Sequence, residues 1–132
     1  MVVCIFENVQ WKWALTDRLA HGYPQAWSFI KEYLATCITD YKMTVLRIDY
    51  NIDPLPIWQR ADTEGRPNRS GVTEIKYITG LYALWDDLLH GNPDLKYIDD
   101  CASGGRRIDF ETLHRSIPPW ATLPLDTVND CH

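Results

Sequence analysis

Apolar positions begin to recur at helical spacing after about residue 23. "PQAWSFIKEYLATCITDY" opens with Pro24, which suits the first turn of a helix. Ala26, Trp27, Ile30, Tyr33, Leu34, Cys37, Ile38 and Tyr41 fall on one apolar stripe. "MTVLRIDY" follows after almost no loop and reads as a strand. Next, "NIDPLPIWQRADTEGRPNRS" carries three prolines, a glycine and several charges, and is expected to be a long irregular loop. Ser70 is placed to cap a second helix whose buried face would hold Ile75, Ile78, Leu81, Tyr82, Trp85 and Leu88. His90, Gly91 and Pro93 supply its stop signal, with the glycine free to take a positive φ. "LKYIDD" reads as a second short strand, "CASGGRR" as a turn, and "RIDFETLHR" as the start of another helix. The order is helix, strand, long loop, helix, strand, glycine-rich loop, helix. Such alternation predicts βα units on a parallel sheet.

The first strand, "TVLRIDYN" (44–51), changes character half-way. Residues two apart on a strand share a face. Thr44, Leu46, Ile48 and Tyr50 therefore lie on one side, and Val45, Arg47, Asp49 and Asn51 on the other. A solvated face would explain the polar set, but strands of a parallel sheet are buried on both faces. The polar residues also fall at the strand's carboxyl end, where α/β folds bind ligands. A buried Arg–Asp pair is by itself compatible with a purely structural role.

Composition narrows the classes. The chain has 132 residues, about one domain, with 45% hydrophobic residues and six tryptophans, which fits a globular protein. Net charge is −5 and no basic cluster occurs, so neither nucleic acid nor an anionic membrane is an expected partner. "VVCIF" is too short for a signal-peptide core or a membrane span, which makes the cytoplasm the default compartment. Cys4, Cys37, Cys101 and Cys131 are widely spaced and form no C-x-x-C pair, so they suggest neither a zinc site nor a disulfide framework.

The chemistry gathers at the two strand ends. A guanidinium beside Asp49 would favour its charged form, making it a poor general acid but a competent nucleophile or electrostatic stabiliser. The second strand ends on Asp99 and Asp100, and Gly104 and Gly105 would let a backbone approach a ligand closely. Asp49, Asp53, Asp99 and Asp100 could instead serve as oxygen ligands for a hard cation. Arg47 on the same face opposes that reading, and neither metal nor cofactor is expected.

"LRIDYNIDPLPIW", "GVTEIKYITGLYALWDDLL" and "IDDCASGGRRIDFETLHRSIP", in this order and at this spacing, resemble the catalytic barrel of glycoside hydrolase family 36, the melibiase family of α-galactosidases. The resemblance runs from about Pro24 to Ile117, or 24–118 at its widest, and leaves 1–23 and 119–132 unmatched. It implies an α/β chain that is part of a (β/α)8 TIM-type barrel, about three βα units of it, from a retaining glycosidase acting on terminal α-galactosyl residues. It further implies that Asp49 is the nucleophile and that Arg47 and Asn51 lie near sugar hydroxyls. Cys101, Ser103, Gly104, Gly105 and Arg107 fall on the family's sugar-contacting glycine loop.

A retaining site needs a second carboxyl group as acid/base. In the family it follows a Trp by three residues. Here Trp120 leads to Leu123, which transfers no proton; Asp126 is the nearest carboxylate. The abrupt loss of resemblance at both ends suggests a gene fragment or a reading-frame error. A complete barrel takes about 250 residues, and uncovered barrel edges would favour self-association. The alternatives are a non-catalytic remnant that binds galactosides weakly, or an α-N-acetylgalactosaminidase or galactosyl transferase of the same superfamily.

Overall fold

The computed structural model describes residues 2–5, 24–49, 53–65, 70–101 and 108–117. In chain order the elements are β1 (Val2–Ile5), α1 (Pro24–Asp40), β2 (Val45–Asp49), α2 (Leu55–Gly65), α3 (Val72–Gly91), β3 (Tyr97–Cys101), α4 (Phe110–Arg115) and β4 (Ser116–Ile117). The strands form one sheet in the order β1-β2-β3-β4, and every neighbouring pair is parallel. The expected alternation on a parallel sheet is therefore present. Among the described residues no helix is long and apolar enough to cross a membrane.

One core joins the sheet to the helices. Leu46 and Ile48 of β2 and Ile98 of β3 pack with Ile30, Leu34 and Ile38 of α1, Trp58 of α2, and Tyr77, Leu84, Trp85 and Leu88 of α3. The period-2 alternation of β2 thus sends its aliphatic face to the helices, as expected. Trp27 Nε1 donates to the Gly80 carbonyl oxygen at 2.9 Å, tying α1 to α3 through a polar contact as well.

Five local readings are corrected. The stretch after β2 is not an irregular loop throughout, because it contains α2. Pro54 and Pro56 sit just before and within its first turn, where a missing N–H costs nothing. Ile57, Trp58 and Ala61 then bury one face. Ser70 does not cap α3. Gly71 is the N-cap residue, at φ 86, and gives no side-chain cap. Asp62 of α2 supplies the cap from outside: its Oδ2 accepts from Gly71 N at 2.6 Å and its Oδ1 from Thr73 N at 2.9 Å. The buried face of α3 holds the expected Trp85 and Leu88, with Ile78 and Leu81 packed against the core, but Ile75 is 67% exposed, and Tyr77, buried against Trp58, and Leu84 complete the face. Tyr33 and Tyr41 on α1 are likewise exposed. At the far end α3 includes Gly91 and caps on Asn92, whose Nδ2 donates to the Leu88 carbonyl oxygen at 2.8 Å. The positive φ expected there is found at Gly71 instead.

Two strands lie where the sequence pattern assigned none. "VVCI" forms β1, which pairs with β2 and places Cys4 opposite Arg47 in register. Ser116–Ile117 forms β4 beside β3.

Candidate active site

The carboxyl ends of β2 and β3 lie side by side. Arg47 is the register partner of Asp99, and Asp49 of Cys101. Facing residues on neighbouring strands project to the same side of a sheet. Arg47, Asp99 and Cys101 therefore belong to the face turned away from the helical core, and Asp49 holds the matching backbone position at the end of β2.

Arg47 Nη1 donates to Asp99 Oδ2 at 2.9 Å, with the two side chains 29% and 17% exposed. Sequence reasoning placed a guanidinium beside Asp49; among the described residues Arg47 also pairs across the ladder, with Asp99. Strand spacing explains why Asp99 is in reach. A cross-strand neighbour lies about 4.8 Å away, whereas the next residue on the same face of one strand is about 6.6 Å along. Asp99 Oδ1 is also buried and accepts no hydrogen bond from another described residue.

Asp100 points the other way. It is the register partner of Ile48, is 4% exposed, and lies on the helix-facing side of β3. Consecutive carboxylates on a strand cannot converge on one ion from the same face. Asp53 is occupied too, its Oδ1 accepting from Leu55 N at 3.2 Å at the start of α2. Among the described residues no three His, Cys, Asp or Glu side chains are grouped to hold a metal ion. Of the remaining sequence candidates, Asn51, Ser103, Gly104, Gly105, Arg107, Leu123 and Asp126 lie outside the described residues. Cys101 is described and is half-buried.

A polar network that sequence reasoning missed fixes the chain just after the glycine stretch. Asp109 is the N-cap of α4. Its Oδ1 accepts from Thr112 N at 2.7 Å, and Thr112 Oγ1 accepts from Asp109 N at 2.8 Å, which closes a capping box. Its other oxygen, Oδ2, accepts from the Tyr82 hydroxyl at 2.5 Å. Burial, then the hydrogen bond and charge of Asp109, push the Tyr82 hydroxyl up to about 12. Burial alone would raise Asp109, but the Tyr82 hydroxyl and the Thr112 and Glu111 amides outweigh it and hold the carboxyl below its ordinary value. Arg115 lies over the Tyr82 ring, 5.0 Å from its centroid, and its Nε donates to Asp86 Oδ1 at 2.7 Å. The sequence signal was D-x-x-T before a helix, with Tyr82 and Asp86 one turn apart on α3.

A groove of about 670 Å³ lies at the opposite end of the strands, between Thr39, Lys42, Thr44, Asn92 and Lys96. It opens beside the ends of α1 and α3, where lysines complement helix carbonyls; Lys96 Nζ donates to the Pro93 carbonyl oxygen at 3.0 Å. It contains none of the candidate chemistry.

Comparison with known proteins adds one relationship. The chain is similar to a protein named alpha-galactosidase from Escherichia coli, 29% identical over 108 residues, which is 82% of this chain and 14% of that protein. The similarity links the chain to a glycoside hydrolase. No family model matches, and no solved structure matches.

Proposed function

We propose that the chain is part of the (β/α)8 barrel of a retaining α-galactosidase and supplies the nucleophile side of its site. The observation that carries this reading is the register of β2 and β3, which sets Asp49 beside Cys101 and Arg47 beside Asp99 at one sheet end. Similarity to the Escherichia coli protein supports the same substrate class. In this reading Asp49 attacks the anomeric carbon of a terminal α-galactosyl residue. An ester bond forms to its carboxylate as the bond to the leaving oxygen breaks. A second carboxyl group, about 5–5.5 Å from the first, protonates that oxygen and later takes a proton from the water that hydrolyses the ester. Arg47 and the backbone around Cys101 hold sugar hydroxyls.

Leu123 favours a second reading for the 132-residue polypeptide itself, a galactoside binder without turnover. Loss of general acid catalysis costs a factor of about 10²–10⁴. An aryl α-galactoside with a good leaving group needs little protonation and is the most lenient substrate. Purified chain assayed on it is expected to show little or no turnover, while galactose binding remains detectable by NMR. Robust turnover that vanishes with Asp49→Ala would overturn the binder reading and point to Asp126 or a partner chain as proton donor. Absence of both turnover and galactose binding would overturn the galactoside assignment. A clear preference for the N-acetylgalactosaminide or for transfer over hydrolysis would move the chain to those relatives.

A further inference from the structure

We infer that Asp99 is the positioning residue for Arg47 in this site. The inference deepens the galactoside reading and rests on it for the nature of the ligand. Arg47 carries a long side chain with a planar guanidinium, whose donors are useful only when the plane is oriented. Asp99 is its register partner and takes one of those donors at 2.9 Å. The exposures divide the roles. Asp99 is the more buried member, and its Oδ1 is out of contact with solvent. The guanidinium is therefore the more accessible member of the pair to a sugar. The pair also makes chemical sense as a unit. A carboxylate this buried is costly without a cation, and Arg47 is the cation across the ladder. The same bond fixes a side chain that would otherwise lose rotamer freedom when ligand binds. The rotameric cost then falls on folding and not on binding.

Three variants and two readouts test this. The readouts are the guanidinium N–H signals of Arg47 in an NMR spectrum of the full chain, and galactose affinity by titration. In the unmodified chain the Arg47 N–H protons should exchange slowly with water. Asp99→Asn keeps the shape of the side chain and removes its charge. It should speed that exchange and weaken galactose about tenfold. Asp99→Glu keeps the charge and should recover part of both signals. With Arg47→Ala already present, Asp99→Asn should add no further loss of affinity, because its effect acts through the missing guanidinium. The inference is overturned if Asp99→Asn leaves Arg47 exchange and affinity unchanged. It is equally overturned if Asp99→Asn weakens Arg47→Ala by the same factor as the unmodified chain. If the unmodified chain binds no galactose, the galactoside reading falls, and the Arg47 exchange signal alone still decides whether Asp99 holds the guanidinium.

Discussion

Three aspartates of this chain sit in two kinds of setting. Asp62 and Asp109 belong to the helical layer, and both oxygens of each are engaged. Asp62 accepts from Gly71 N through one oxygen and from Thr73 N and the Thr73 hydroxyl through the other. Asp109 accepts from Tyr82 and from Thr112 N. Asp99, at the strand ends, takes one bond from Arg47, and its buried Oδ1 takes none from a described residue. The helical aspartates complete the hydrogen bonding of helix starts, where free amides need an acceptor. Asp99 caps nothing. Its cation stands on the face that carries Cys101, whose register partner is Asp49. A carboxylate whose two oxygens are both taken by helix-start amides and neighbouring hydroxyls is explained by the fold. One that holds a single partly exposed guanidinium is not.

The largest effect should come from breaking the strand-end pair unevenly. Arg47→Met leaves Asp99 with its charge mostly out of water and is expected to cost roughly 1–3 kcal/mol, below the range for a fully buried pair because Arg47 is partly exposed. The double variant Arg47→Met/Asp99→Leu should recover most of that stability in urea unfolding. It should not recover galactose binding. If the double variant regains both, the pair does not serve the ligand. If the double variant is as unstable as Arg47→Met, burial of the carboxylate was not the cause.

Asp109→Ala tests the other setting. It removes the N-cap of α4, the capping box and the partner of Tyr82, and should cost about 1 kcal/mol. Asp109→Ser should restore much of this, since a serine hydroxyl also caps. Here function and stability should move together in proportion to folded fraction, unlike at Asp99. A loss of galactose affinity without a loss of stability would place Asp109 in the site.

The sequence already contained much of this contrast, but not its geometry. Val45 to Asp49 alternate so plainly that the helix-facing and outward faces of β2 could be separated without coordinates. α3 and α4 followed from periodicity and from the turn residues before them. Pairing across strands could not be read, since Asp99 lies 52 residues from Arg47 and register depends on how the whole sheet assembles. β1 was missed because four apolar residues alone do not distinguish a strand from any other buried segment. α2 was hidden by prolines that begin a helix as readily as they end one. The α3 cap was missed for the same reason as the ion pair: Asp62 reaches it from another helix, whereas a local rule looks to Ser70. Asn51 and the Ser103–Arg107 candidates rest on the sequence alone.

Both helical aspartates should contribute to acid sensitivity, and alkali should single out the Asp109 cluster through Tyr82. The Thr73 hydroxyl first, then the Thr73 and Gly71 amides, hold Asp62 below its ordinary value despite some desolvation. A depressed folded value means that the unfolded chain binds the proton first. The stabilisation from Asp62 is therefore present above the ordinary carboxylate range, about pH 4, and is lost as pH falls through the folded value. Asp62→Asn should flatten that part of the acid stability profile. Tyr82 gives the opposite slope. The unfolded chain releases this proton near pH 10 and the folded chain near 12, so stability should fall as pH rises between them. Tyr82→Phe should reduce that alkaline loss, read as melting temperature against pH in both proteins. An unchanged alkaline profile would show that the Tyr82–Asp109 bond does not persist in solution.

The smallest effect is expected at Lys42, at the other end of β2 from the site. Lys42 has φ 48, the left-handed region that disfavours side chains. It closes α1: Lys42 N donates to the Thr39 carbonyl oxygen at 3.2 Å, and Met43 N to the Ile38 carbonyl oxygen at 2.9 Å. These are the two bonds of a Schellman motif, whose left-handed position glycine fills most readily. Lys42→Gly should relieve the strain, but it also frees the unfolded backbone and gives up a cation at a helix carboxyl end. The net gain should therefore be below about 1 kcal/mol, seen as a small rise in melting temperature. Strained backbone often marks a functional site, so this variant also probes the groove beside it. If Lys42→Gly raises stability and leaves galactose affinity unchanged, the strain is only the cost of ending a helix without glycine. If affinity falls, ligand binding involves the amino ends of the strands, and the contrast between the strand-end site and the rest of the fold must be redrawn.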